Sequence, residues 1–154
     1  MKKMITIIVG AEASSTEFEF AYQLGNLLAE AEYGIVCGGR SGVMEAACKG
    51  SSEADGFSIG ILPGENKLDA NPYISLAIPT GMGTSRNRIV ILSGEVVCAI
   101  GGFYGTLSEI AFALQSGKSV CCFGSWNSIP GVHLVSTPLE AMGFILEKME
   151  DLDA

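Results

Sequence analysis

Apolar residues come along this chain in short blocks of two kinds. One kind is a nearly continuous run of five or six residues, as at 4–9 (MITIIV), 57–62 (FSIGIL), 96–100 (VVCAI) and 119–123 (SVCCF). Strands apolar on both faces suit a parallel sheet covered from both sides. The other kind spaces its apolar residues by three and four. At 18–30, Phe20, Leu24, Leu27 and Leu28 share a helical face, with Ser15 or Thr16 placed to cap it. Further helices are predicted at 43–49, 85–92, 107–115 and 138–149, the last opening on Pro138, which suits a first helical position. Shorter strands are predicted at 35–37, 73–78 and 132–135. The polar stretches 65–72, with its Asn-Pro pair, and 124–130 read as loops. Strands alternating with helices predict an α/β fold, a Rossmann-like, doubly wound and mostly parallel sheet with helices on both faces. No linker or shift of composition interrupts it, so one domain over 1–154 is expected.

Two glycine-rich turns stand out from this pattern. CGGRSGVMEAACKG covers 37–50 and GGFYGTLSEIAFAL covers 101–114. Each follows an apolar strand and opens a helix, where bare backbone N–H groups can face an anion. The first turn supplies Gly38, Gly39 and Gly42 as a phosphate cradle, or as a tight β–α turn without a ligand. It has neither the GxxxxGK[ST] nor the GxGxxG spacing. In the second, Gly102, Gly105 and the Thr106 hydroxyl can address phosphate oxygens. Glu109 follows one turn later. It can cap the helix start, since Thr106 and Glu109 have capping-box spacing, or it can face C1 of a ribose where positive charge grows on bond cleavage.

Arginine is scarce: Arg40, Arg86 and Arg88 are all there is, and two of them share the segment PTGMGTSRNR. With i, i+2 spacing on a helix, one of Arg86 and Arg88 is expected to enter the cleft. Glu45 is a second acidic candidate. Met44 and Met82 line either a base pocket or the core. Residues Lys67, Asp69, Asn71 and Tyr73 form a lid or an ordinary connection. His133 reads as structural, and Trp126 as a candidate subunit contact.

The formal charge of −8 disfavours nucleic acid and anionic lipid as partners. Five cysteines lie in or beside apolar runs without metal-ligand spacing, as expected of buried thiols in a cytoplasmic protein. The opening MKKMITIIVGA reads as a first strand rather than a signal peptide or a membrane span.

Taken together, the first strand, CGGRSGVMEAACKG, GILPGENKLDANPY, IPTGMGTSRNRIVI and GGFYGTLSEIA resemble, in the same order, the LOG-like family once labelled "possible lysine decarboxylase". The resemblance spans nearly the whole chain and is nearest to the molybdenum-cofactor-carrier-like branch. It implies a Rossmann-like subunit, usually a homodimer or higher homo-oligomer, with a small nucleotide-like ligand. The better-known enzymes of the family hydrolyse the N-glycosidic bond of cytokinin riboside 5'-monophosphates or related nucleotides, giving base and ribose 5-phosphate. By resemblance, Glu109 matches the catalytic glutamate of PGGxGTxxE and Arg86 the catalytic arginine of an Arg-Lys pair. Gly102, Gly105 and Thr106 match the phosphate-binding residues, with Gly38, Gly39, Gly42 and Met44 across the cleft. The chain departs from the hydrolases at Gly101 (Pro there), Phe103 (Gly there) and Asn87 (Lys there), and carries Glu12 in a first turn that is Gly/Ser-rich in relatives.

The leading expectation is therefore a nucleoside 5'-monophosphate phosphoribohydrolase that needs neither metal nor cofactor. The rival expectation is a non-catalytic carrier of a nucleotide or molybdopterin-type cofactor in the same cleft. A purely structural dimer would leave the arginines and glycine turns without a role.

Overall fold

Met4–Val9 forms β1, the strand on which the rest of the sheet is built. It is followed by α1 (Ser15–Glu30), β2 (Gly34–Cys37), α2 (Val43–Glu53), β3 (Ser58–Leu62) and β4 (Leu76–Pro79). The chain then runs through α3 (Asn87–Ser93), β5 (Val96–Ile100), α4 (Tyr104–Gln115), β6 (Ser119–Phe123), β7 (Val132–Leu134) and α5 (Pro138–Asp153). The computed structural model describes residues 1–10, 13–124, 126 and 128–154. Glu12, one of the expected departures, lies outside the described residues.

The seven strands lie in the order β4-β3-β2-β1-β5-β6-β7. Every pairing among them is parallel. From β1 the chain winds outward to β4, returns to place β5 against β1 in the register Ile5↔Val96, and winds outward the other way. That reversal puts a topological switch point between β1 and β5, where a crevice opens beyond the carboxyl ends of the strands. Both glycine turns emerge there, because β2 and β5 flank β1 on either side.

One face of the sheet, with Ile5, Ile7, Cys37, Cys98 and Ile100, packs on Leu24 and Leu28 of α1, Ala47 of α2 and Ile145 of α5. The other face, with Ile8, Val97, Ala99 and Val120, packs on Ile91 of α3 and on Ile110 and Ala113 of α4. Helices thus cover both faces, as the doubly apolar strands predict. All five cysteines are buried and none forms a disulfide. Among the described residues, no helix is long and apolar enough to cross a membrane.

The helices α1 and α2 meet backbone to backbone. A Cβ at Gly25 would stand 2.0 Å from the Ala47 carbonyl oxygen, and one at Gly50 would stand 2.0 Å from that of Tyr22. Only glycine at these two reciprocal positions permits that approach.

Several boundaries differ from expectation for local reasons. Ser14, rather than Ser15 or Thr16, caps α1, in a complete capping box with Glu17. The strand expected from residue 73 starts at Leu76, because the Asn71 side chain accepts from the Tyr73 N–H at 3.0 Å and holds a turn. Asn66 caps a short 3-10 turn, Lys67–Asp69, inside the expected loop. A second 3-10 turn, Gly83–Arg86, precedes α3. Helix α4 begins at Tyr104, so Thr106 sits inside its first turn and the Thr106–Glu109 capping box does not form. His133 stacks on Phe144 at 4.8 Å, the structural role expected. Trp126 lies 6.4 Å from Tyr104 within the same chain.

Candidate functional site

The second glycine turn bends sharply where β5 ends. Gly101 and Gly102 adopt φ of +64° and +101°, which favour glycine. A Cβ at Gly102 would stand 2.1 Å from Thr106 Oγ1, so the turn closes directly over the buried threonine. Gly105 faces open space. Phe103 occupies the N-cap position of α4, and no side chain caps the helix there. The start of α4 therefore presents amide donors and the positive end of its dipole at the sheet's carboxyl edge.

Arg86 stands on the 3-10 turn ahead of α3 and shares a cavity with α4 one turn further along, at Glu109. Its guanidinium lies against the first glycine turn: a Cβ at Gly38 would stand 2.8 Å from Arg86 Nη2 and 3.0 Å from Met44 Sδ. Arg86 Nη1 donates to Asn87 Oδ1. Asn87 Nδ2 donates in turn to Glu109 Oε1 at 3.3 Å. Among the described residues, the buried Arg86 Nε finds no hydrogen-bond partner. Gly38, Met44, Arg86, Asn87 and Glu109 thus line one cavity of about 70 Å³ beneath the ends of β1. Residues from four separate stretches of the chain converge there, as expected for the arginine, the glutamate and one side of the first turn.

Burial pushes the Glu109 carboxyl up to about 7, and the Arg86 cation opposes that rise only in part. Burial likewise lowers the Arg86 pKa, but a guanidinium remains charged. Between the ordinary glutamate value of 4.5 and about 7, the folded state holds a proton that the unfolded state has released. The contribution of this group to stability therefore falls as pH rises through that window. Glu109→Gln is expected to be more stable than the parent at pH 8 by on the order of 1.5 kcal/mol, a value discounted because solvent reaches part of the carboxyl. That advantage should fade as pH falls toward the ordinary glutamate value. Urea unfolding at several pH values checks it, and an advantage that grew on acidification would contradict the assignment.

The other expected residues lie apart from this cavity. Gly39 serves the sheet: a Cβ there would meet the Gly60 Cα at 2.8 Å, and its N–H donates to Cys37 Sγ. Gly42 and Glu45 open onto a separate depression of about 500 Å³ between α1 and α2. Arg88 is exposed and lies 4.6 Å over the Phe112 ring. Another open depression, of about 380 Å³, lies by the starts of α1 and α5 and contains neither Arg86 nor Glu109. In the sequence Asn87 reads as the loss of a positive charge and as a candidate site residue; in the structure it ties Arg86 to Glu109. Sequence reasoning passed over Glu17, whose carboxylate stands where a Cβ at Gly101 would reach, 2.4 Å away. The Ser14-x-x-Glu17 spacing was the available signal.

The model of a family described as LDcluster4, SLOG cluster4 family, matches residues 2–148. The chain belongs to the SLOG cluster4 family. An uncharacterized protein of Archaeoglobus fulgidus is 37% identical over 147 residues, covering 95% of this chain and 97% of the relative. The structure of the molybdenum cofactor binding protein of Rippkaea orientalis superposes with a TM-score of 0.91 at 36% identity, covering 97% of this chain and 98% of that one. The molybdenum cofactor carrier protein of Chlamydomonas reinhardtii gives 0.90 at 30%, covering 97% and 99%. The resemblance read from the motifs, including its carrier-like branch, is borne out by these matches.

These SLOG relatives correct the leading expectation. Four of the whole-length matches are structures of proteins named for binding or carrying the molybdenum cofactor, and they overturn the hydrolase, the phosphoribohydrolase activity and the enzyme assignment. The geometry supplies a physical reason. Asn87, where the hydrolases carry Lys, donates to Glu109 Oε1 and takes up acceptor capacity that a catalytic carboxylate would turn to its substrate. Phe103, with Gly in the hydrolases, stands exposed at the start of α4.

Proposed function

We propose that this protein is a carrier that binds a phosphorylated molybdopterin-type or nucleotide-like cofactor and releases it chemically unchanged. The observation that carries this reading is the whole-length likeness, at 36% and 30% identity, to proteins named for binding and carrying the molybdenum cofactor. The residues present fit such a ligand. Arg86 offers a fork of donors, and its buried Nε has no partner among the described residues, as a group awaiting an acceptor would be. The amides at 102–106 would hold phosphate oxygens, with the dipole of α4 behind them and the buried Thr106 supporting the turn. Gly38 leaves room for the guanidinium, and Met44 forms the apolar wall beside it. Glu109, on the same helix one turn beyond the amides, faces a part of the ligand other than its phosphate.

A carrier needs affinity without strain toward a transition state, so binding and release should leave every covalent bond intact. The cavity at Arg86 is too small for a whole nucleotide, and the bulk of the ligand must extend beyond it. Exposed Leu76, Ile78, Met82, Ile89 and Leu92 on β4, the turn after it and α3 support association into a homodimer or higher homo-oligomer. Buried thiols fit a reducing, cytoplasmic setting.

The test is retention and return. Purified protein mixed with molybdopterin-type cofactor should carry it one-to-one through gel filtration and give it back intact on denaturation. The same protein incubated with nucleoside 5'-monophosphates should release no base above a protein-free blank. Catalytic release of base, or failure to retain any phosphorylated ligand, would overturn the proposal.

A further inference from the structure

Asn87 and Glu109 have a second side. Beyond the small cavity at Arg86, a pocket of about 270 Å³ opens between α3 and α4, lined by Asn87, Arg88, Ile91, Ser108, Glu109 and Phe112. This volume lies close to the lower bound, about 300 Å³, of ordinary small-molecule sites. Glu109 and Asn87 line both spaces, which adjoin at these two side chains. The chemistry of the pocket is uneven in a useful way. Phe112 presents an aromatic face with the Arg88 guanidinium 4.6 Å over it. Ile91 forms an apolar floor that is almost completely buried. Its polar groups are the Thr84 and Ser108 hydroxyls, the Asn87 amide and the Glu109 carboxyl, which receives one hydrogen bond, from Asn87, and no second among the described residues.

We infer that the pocket between α3 and α4 takes the planar heterocycle of the ligand, and that Glu109 reads an edge carrying two adjacent N–H donors. A ring of 2-amino-4-oxopyrimidine type, as in guanine or a pterin, presents that edge. A carboxylate with acceptor capacity to spare is its complement, whereas adenine offers no such pair. Arg88, seated on the Phe112 ring, presents its outer planar face as the stacking surface that a flat ring needs. This assignment rests on the proposed phosphate site. It explains how a carboxylate can stand so near an anion site: Glu109 addresses the ring end of the ligand, while Arg86 and the 102–106 amides address its phosphate.

Titration calorimetry with GMP, IMP, AMP, neopterin monophosphate and ribose 5-phosphate tests it on the whole protein. GMP and neopterin monophosphate should bind at least about tenfold tighter than AMP and ribose 5-phosphate, the worth of one charge-assisted hydrogen bond. IMP, which lacks the 2-amino group, should fall between. Glu109→Gln should bring GMP to within about threefold of AMP, and Phe112→Ala should shrink the gap between GMP and ribose 5-phosphate. Thermal melts establish that each variant is folded, and the nucleotide series on the parent protein stands alone if one is not. Whichever of GMP and neopterin monophosphate binds tighter identifies the source of the ring, and either order supports the assignment. Equal affinity for GMP, AMP and ribose 5-phosphate would overturn it while leaving the phosphate site in place. No binding of any of the five would overturn the phosphate site, and this assignment with it.

Discussion

Arg86→Ala should weaken binding of a phosphate-bearing ligand about a hundredfold. The guanidinium offers two charge-assisted hydrogen bonds from a half-buried position, and losing both costs about 3 kcal/mol. Arg86→Lys keeps the charge but not the planar fork, and should recover less than half of that loss. The substitution acts locally. Arg86 rests on Gly38 and on Asn87, so its removal leaves the core strands untouched while cutting the tie toward Glu109. Titration calorimetry at physiological salt checks the effect, with exposed Arg40→Ala as the comparison for a general loss of positive charge. Equal weakening by both variants would mean that the arginine acts through the field of the protein rather than through contact.

Gly25→Leu should be the most damaging single change outside the site. Its side chain would point at the Ala47 carbonyl oxygen from where a Cβ already stands 2.0 Å away. The obstacle is backbone, which cannot rotate aside, so α1 and α2 must separate along their length. Overpacking of this kind costs about 3 kcal/mol or more. In a chain of this length that lowers the melting temperature by about 10 °C. Gly143→Ala provides the contrast. It lies mid-helix in α5 with nothing within 4 Å of its would-be Cβ, and the change should stabilise by up to about 1 kcal/mol. Thermal melts of the two variants side by side separate crowding from helix propensity. A Gly25→Leu protein that melts with the parent would show that the helices have another way to pack.

Much of this architecture is legible in the chain because its signals are local. The runs at 4–9, 96–100 and 119–123 announce buried parallel strands by being apolar on both sides, and the strands occupy those residues. The two glycine turns are legible for the same reason: φ near +64° to +101° and close backbone approach demand a residue type. What the sequence does not carry is direction in space. CGGRSG reads as one cradle, yet Gly38 faces Arg86, Gly39 faces Gly60, and Gly42 opens on another depression. Asn87 reads as a missing lysine, and only the placement of α3 beside α4 makes it a bridge. The start of α4 was misplaced by three residues because Phe103 and Tyr104 carry no capping signal. Function is the least local property. Arg86 and Glu109 suit hydrolysis or holding equally well as residue types, and the difference lies in burial, in the bridge and in the relatives.

The order of the strands also bears on how the nascent chain matures. Between the pairing of β1 with β2 and that of β1 with β5 lie some sixty residues of synthesis, since Ile5 meets Ile35 first and Val96 only later. Until then the middle strand has one bare edge, an invitation to pairing with another chain. The strand that shields this edge is the same one that delivers the 101–106 turn. A half-made polypeptide is therefore sticky while it still lacks the 101–106 turn, and that turn is complete only once the hazard has passed.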